Sequence, residues 1–257
     1  ASGSLGWHDA GRTDAIIAPC PQAQAGFWRP SDPWVGSGSR CEAVTPIMSP
    51  QDFALQFDVS RETMDRLVVY QALLGKWQQR INLVGPATLA EFWTRHVADS
   101  AQLLSLARPQ DRVWLDLGSG GGFPGLVLAM MLGPRGGFVH LVESDERKVA
   151  FLRTVIRETG AAAQVHLSRI EALSEAEPDF MADVQVITAR ALAALPKLLP
   201  LVAPFFNSST IALLPKGRGW QEELTQAQQS WTLETQVLES VTDKDARVLK
   251  LTHLSRR

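Results

Sequence analysis

The chain has 257 residues, 45% of them hydrophobic and 20% charged, and a formal net charge of −2. That length suits one α/β domain of ordinary size plus extras. No apolar run approaches the ~20 residues that span a bilayer. The near-neutral charge gives no global sign of nucleic-acid binding, so any RNA contact must come from a local basic patch. The two cysteines, Cys20 and Cys41, both lie near the start. They form no visible disulfide framework or zinc-ligand spacing, which fits a reducing cytoplasm and predicts no metal.

Residues 1–47 are rich in Gly, Pro and Ser, with Trp7, Trp28 and Trp34 scattered without period. No positive segment followed by an apolar core marks a secretory signal. Met48-Ser49-Pro50-Gln51-Asp52-Phe53 reads like a natural start. Residues 1–47 are therefore expected to be a disordered or non-native extension. Residues 48–108 read as a helical segment. Ser60 is an N-cap candidate, and Met64, Leu67, Val68, Leu74 and Trp77 follow at near-helical spacing. Ile81-Asn82-Leu83-Val84-Gly85-Pro86 breaks the pattern. A second helix is expected from about Thr88 to Leu106, carrying Arg95, His96, Asp99 and Ser100. Arg95 and Asp99, four apart, read as a solvated helix ion pair. His96 alone reads as a packing or capping histidine.

The chemistry concentrates in residues 113–125. Val113 to Leu117 is a short buried parallel strand. Gly118-Ser119-Gly120-Gly121-Gly122-Phe123-Pro124-Gly125 follows at once, and Leu126 to Leu132 continues as a helix. Such a strand, glycine loop and helix makes a cradle in which N–H groups and a helix N-terminus favour an anionic group. Gly120, Gly122 and Gly125 fit the dinucleotide pattern G-x-G-x-x-G, which is weak by itself. Asp116 adds D-x-G-x-G-x-G, similar to the first motif of class I S-adenosylmethionine methyltransferases. An acid there can take the ligand's ammonium while the loop takes its carboxylate; a pyrophosphate would be repelled. Glu143 ends the next apolar run, Phe138 to Val142, where an acid can accept both ribose hydroxyls. An ordinary βα turn without a ligand remains the bland alternative.

Regular α/β alternation continues downstream. Asp145 to Glu158 is an amphipathic helix, and residues 163–167 form a third strand followed by Arg169-Ile170-Glu171. Residues 183–188 form a fourth strand, which ends at Ala189-Arg190-Ala191. Arg190 thus sits at a carboxyl strand end, either facing a ligand or paired with a surface carboxylate. Leu192 to Val202 is a helix shortened or kinked by Pro196 and Pro200. Residues 210–214 form a fifth strand, and Lys216 and Arg218 follow on a flexible loop, where they meet a phosphate or solvent. Trp220 to Ser230 is a polar helix. Residues 231–238 and 247–254 alternate as a closing antiparallel pair, where a nicotinamide dehydrogenase would continue into a second βαβ half.

Methyl transfer from a sulfonium needs mainly proximity and orientation. The chain from Met48 onward has no cysteine for pyrimidine C5 chemistry. Thr188-Ala189-Arg190-Ala191 stands where amine methyltransferases often carry (N/D)-P-P-(Y/F). A ring nitrogen such as guanine N7 has a free lone pair and needs no general base, which agrees with these absences.

Asn82-Leu83, Arg95-His96 with Asp99-Ser100, the 116–125 loop, Glu143 with Arg147-Lys148 and Phe151-Leu152, Arg169-Ile170-Glu171, Ala189-Arg190-Ala191 and Lys216-Gly217 together resemble the RsmG (GidB) family. These are bacterial methyltransferases of guanine N7 in 16S ribosomal RNA. The likeness runs from about Ser60 to the C-terminus. It implies a Rossmann-like class I methyltransferase domain over residues 109–257, with a mostly parallel seven-stranded sheet, a C-terminal antiparallel hairpin and an N-terminal helical segment. It implies S-adenosylmethionine contacts at Gly118, Phe123, Glu143, Ile170, Glu171 and Arg190, beside Asp116, Ser119 and Gly120 from the loop. Arg95, His96, Arg169, Lys216 and Arg218 are the expected RNA-facing residues, with Arg190 among the cations. Ala189 departs from the serine the family often has there. The implied setting is cytoplasmic, as a monomer acting on 16S rRNA in the small subunit or its precursor. Methylation of another RNA, a protein or a small molecule, or a non-catalytic sensing module on the ribosome, are the alternatives.

Overall fold

The computed structural model describes residues 48–176 and 183–257. The expectation of an extension over 1–47 lies outside the described residues. Seven strands form one sheet: β1 (Val113–Leu117), β2 (Phe138–Glu143), β3 (Ala163–Leu167), β4 (Val186–Thr188), β5 (Ile211–Lys216), β6 (Trp231–Glu239) and β7 (Arg247–Arg256). Their order is β3-β2-β1-β4-β5-β7-β6. The first five run parallel, and β7 lies antiparallel to both β5 and β6. This is the mostly parallel, hairpin-closed sheet expected from the sequence.

Alternate residues of each strand serve opposite faces. Trp114, Val139, Leu141 and Leu213 pack with α2 (Arg61–Gln78), α3 (Gly125–Leu132) and α4 (Glu146–Thr159). Leu115, Leu117, Ile187 and Ala212 pack with α6 (Leu195–Val202) and with Ala227, the last residue of α7 (Trp220–Ala227). Burial on both faces is why the central strands read as unbroken apolar runs. The registers align Asp116 with Leu141 and Thr188, and Glu143 with Leu167. The loops leaving β1, β2, β3 and β4 therefore emerge along one carboxyl edge. The chain reverses its strand order at β1, between β2 and β4, and such a switch point opens a ligand crevice.

The N-terminal helices share the first core. Helix α1 (Pro50–Gln56) begins with a capping box between Ser49 and Asp52, and Ser60 caps α2. Phe53, Leu67, Tyr70 and Leu74 are fully buried against the sheet-side cluster.

The expected helix over 88–106 is segmented. A 3₁₀ stretch (Pro86–Glu91) leads into a π-helical stretch (Phe92–Ala98), one α turn (Asp99–Ala101) and a second 3₁₀ stretch (Gln102–Leu106). Hydrogen bonds of the π type reach i+5, so residues four apart no longer stack. The wider turn buries Phe92, Trp93, His96 and Val97 together. Several further boundaries differ from expectation; the helix read from Leu192 begins at Leu195, and the one read to Ser230 ends at Ala227. Strand β4 begins at Val186, β5 runs on to Lys216, and Ile170, read as following the third strand, opens α5 (Ile170–Ala176).

Candidate active site

A cleft of about 970 Å³ lies at the carboxyl edge of β1, β2 and β4, at the upper end of the usual range for small-molecule sites. Its floor is the glycine loop. Gly118 and Gly120 have φ of 69° and 55°, a region open to glycine at little cost. A Cβ on Gly118 would come 2.6 Å from Leu192 Cδ1. A Cβ on Gly120 would meet nothing nearer than the Gly118 carbonyl at 3.8 Å, so Gly120 faces open space. Ser119 lines the floor with its side chain turned inward, its Oγ donating to the Asp116 carbonyl at 3.1 Å. Gly121 is braced from the N-terminal segment: the Tyr70 hydroxyl donates to its carbonyl, and a Cβ there would come 2.9 Å from the Leu83 carbonyl oxygen.

The two loop acids differ in placement. Glu143 lines the cleft, and its carboxylate accepts from Gly120 N at 2.9 Å, Ser144 N at 2.8 Å and Asp145 N at 2.9 Å. It fixes the loop while keeping lone pairs for a ligand. Asp116, expected to meet the ligand's ammonium, is not on the cleft wall. It is 1% exposed; Oδ1 accepts from Thr188 Oγ1 at 2.8 Å, and Oδ2 is buried without a hydrogen-bond partner. Burial pushes its pKa up to about 6, against the pull of the Thr188 hydrogen bond and the Arg190 charge. The reason is geometric: as a β1 residue two places before Gly118, it lies beneath the loop, against Gly125.

Arg190 organises the opposite wall. Its Nη1 donates to the Arg95 carbonyl at 2.9 Å and to Asp99 Oδ2 at 3.1 Å, and its Nη2 donates to His96 Nδ1 at 3.0 Å. The guanidinium sits 5.3 Å from the Phe123 ring centre. Because arginine only donates, His96 Nδ1 must accept. The Nε2–H then donates to Thr88 Oγ1 at 2.9 Å. His96 stacks on Phe123 with centroids 4.7 Å apart, and Phe123 stacks on Tyr70 at 5.0 Å. Burial, then Arg190 and Arg95, lower the His96 pKa to about 3. The expected Arg95–Asp99 pair is therefore corrected: Asp99 pairs with Arg190, since the π turn rotates Arg95 to the exposed side. His96, expected to face RNA, lines the cleft with both ring nitrogens engaged.

The remaining expected residues divide. Ile170, Glu171, Arg169 and Arg95 all line the cleft, the two arginines exposed. Lys216 is corrected: it is 9% exposed on β5, donates to the Ala193 carbonyl at 2.7 Å and pairs with Glu223 at 2.9 Å. Its strand pairs with β7, which turns the side chain inward. Arg218 borders neither the cleft nor the cavity beside it, and pairs with Asp245 at 3.0 Å. Sequence reading missed Tyr70, Thr88, Glu223 and Thr242. Thr242 donates to Asp99 Oδ1 at 2.8 Å and so ties the β6–β7 turn to the Arg190 cluster. Tyr70 and Glu223 sat on helical stretches whose spacing signals only packing or solvation.

The residues present fit S-adenosylmethionine. A glycine floor open at Gly120, an acid at the end of β2 and apolar walls from Phe123 and Ile170 answer a methionyl group, a ribose and an adenine. Fold and cleft define a class I S-adenosylmethionine-dependent methyltransferase. A methyltransferase from Geobacter sulfurreducens shares the fold, with TM-score 0.51 and 12% identity over 80% of this chain and 98% of that one. The family model described as GidB, rRNA small subunit methyltransferase G, matches residues 63–252. The "Ribosomal RNA small subunit methyltransferase G" of Parvibaculum lavamentivorans is 50% identical over 207 residues, covering 80% of this chain and 89% of that protein. The namesake from Rhodospirillum centenum is 50% identical over 219 residues, covering 85% and 97%. The chain belongs to this family of S-adenosylmethionine-dependent rRNA methyltransferases.

Proposed function

We propose that the protein transfers a methyl group to N7 of one guanine in 16S rRNA, within the small ribosomal subunit or its precursor, in the cytoplasm. The observation that carries the reading is the combination of a glycine-floored cleft with a wall of engaged groups. On the cleft wall, Arg190 and His96 are fixed by hydrogen bonds, and Asp116 is buried beneath the loop. The wall thus orients and excludes water, and its histidine, with both ring nitrogens already engaged, is not poised as a general base, which suits an acceptor with a ready lone pair. The sulfonium of bound S-adenosylmethionine supplies the methyl for an in-line displacement.

In this reading Gly118, Gly120 and the loop backbone hold the methionyl end, with Asp116 supporting the loop from below. Glu143 takes the ribose, and Phe123, Ile170 and Glu171 border the adenine. Arg95 and Arg169, exposed at the cleft mouth, meet RNA phosphates. Residues 48–108 brace the catalytic domain of 109–257. Among the described residues no helix is long and apolar enough to cross a membrane, and no cluster of three or more His, Cys, Asp or Glu could hold a metal.

The test uses labelled S-adenosylmethionine with naked 16S rRNA and with small subunits from a strain lacking the gene. Label recovered as 7-methylguanosine at one position is the expected result. Absence of label on either RNA, with S-adenosylhomocysteine still binding, would refute the acceptor and keep the cofactor.

A further inference from the structure

The segment between β4 and α6 forms a wall shared by the cofactor cleft and a second cavity of about 420 Å³. Ala191 lies in it at φ 54°, a left-handed conformation that alanine keeps only where its surroundings impose it. The segment is fastened on both sides of Ala191. Arg190 is tied to Arg95, His96 and Asp99, as described above. Beyond Ala191, the Lys216 ammonium donates to the Ala193 carbonyl at 2.7 Å and pairs with Glu223 Oε2 at 2.9 Å. The same oxygen accepts from Leu195 N at 2.7 Å. Ala194, at the N-cap of α6, has no polar side-chain atom to accept from that end, so the carboxylate from α7 does it. Between the two fastenings, Leu192 seats on Gly118, the first glycine of the cofactor loop.

We propose that Lys216 and Glu223 are a positioning pair for methyl transfer. They hold residues 193–195, and thereby keep Ala191 and Leu192 in the strained geometry that presses on Gly118 and aims Arg190. Two of the three ammonium donors of Lys216 are already used inside the fold, and its side chain is 8% exposed. A carboxylate also stands beside it. Neither feature suits an RNA phosphate. The proposal rests on the assignment of the cleft to S-adenosylmethionine and extends it to two residues that touch neither cofactor nor acceptor.

The experiment compares Lys216→Met, Glu223→Gln and Lys216→Arg in the full chain. Three quantities are read: S-adenosylhomocysteine affinity by calorimetry, kcat and KM on unmethylated small subunits, and the salt dependence of subunit binding. Lys216→Met and Glu223→Gln should weaken S-adenosylhomocysteine about threefold to tenfold. They should lower kcat on the order of tenfold or more through misplacement, with an unchanged salt slope. Lys216→Arg keeps the charge and the reach to Ala193 and should recover kcat to within about threefold. A salt slope smaller by about one in Lys216→Met, with cofactor affinity and kcat intact, would make Lys216 a phosphate contact and overturn the proposal. A lower melting temperature with kcat and affinity retained would make the pair merely structural and also overturn it. If wild-type protein methylates no subunit, the acceptor assignment fails, and the calorimetric arm still judges the pair. If Lys216→Met fails to fold, Glu223→Gln carries the test.

Discussion

Tyr70, the chain's one tyrosine, stands where the N-terminal helices touch the glycine loop. It is fully buried, its hydroxyl donates to the Gly121 carbonyl, and its ring stacks on Phe123 with an interplanar angle of 26°. Tyr70→Phe keeps the ring, the stack and almost all of the volume, so no cavity term arises. What is lost is one buried hydrogen bond, leaving the Gly121 carbonyl without that donor. Such a loss costs about 1–3 kcal/mol. For a domain of this size each kcal/mol lowers Tm by roughly 2–4 °C. The variant should therefore unfold at lower urea with an unchanged m-value. S-adenosylhomocysteine should also bind a few-fold more weakly, because the carbonyl belongs to the loop that cradles it. Tyr70→Ala adds a cavity and should cost about 3–5 kcal/mol. If Tyr70→Phe changes stability by less than about 0.5 kcal/mol and leaves affinity untouched, the brace from helix to loop is refuted.

Gly118→Val should abolish S-adenosylhomocysteine binding, since a β-branched side chain at φ 69° is strained and collides with Leu192; unchanged calorimetry would sink the placement of the cofactor on this loop. The pH dependence of stability holds two opposed contributions. His96, lowered from 6.5 to about 3, stabilises the fold above pH 6.5, and that stability is lost as pH falls toward 3. Asp116, raised from 3.8 to about 6, adds stability that is complete below pH 3.8 and lost as pH rises through 6. Between pH 6 and 4 they offset each other. Relative to wild type, His96→Asn should thus gain stability on acidification and Asp116→Asn should lose it, each difference approaching about 1.4 kcal/mol per pH unit at most. Denaturant titrations across that range check the signs, and parallel curves for all three proteins would contradict both assignments. Arg169→Ala should weaken subunit binding and reduce its salt slope by about one; an unaltered slope removes Arg169 from the phosphate contacts.

Local pattern was enough for the strands and the glycine punctuation. The buried run 113–117, the glycines that follow and the acid at 143 located the glycine loop and the cleft edge, because strand burial and backbone freedom are written in neighbouring residues. The alternation in 231–238 and 247–254 likewise announced the antiparallel pair that β6 and β7 form. Tertiary structure decided which way polar side chains point. Asp116 and Glu143 both follow apolar runs, yet one is sealed under the loop and the other borders the cleft, since that choice depends on strand register and on what packs above. Asp99 exchanged a neighbour four residues away for Arg190, ninety-one positions on, because a π-helical turn rotated the local partner outward. Lys216 looked like a loop cation and became a buried anchor, because β5 is long enough to carry it into the pairing with β7. The loop was legible because its chemistry is local; the wall facing it is made by residues distant in sequence, and only folding brings them within hydrogen-bond reach.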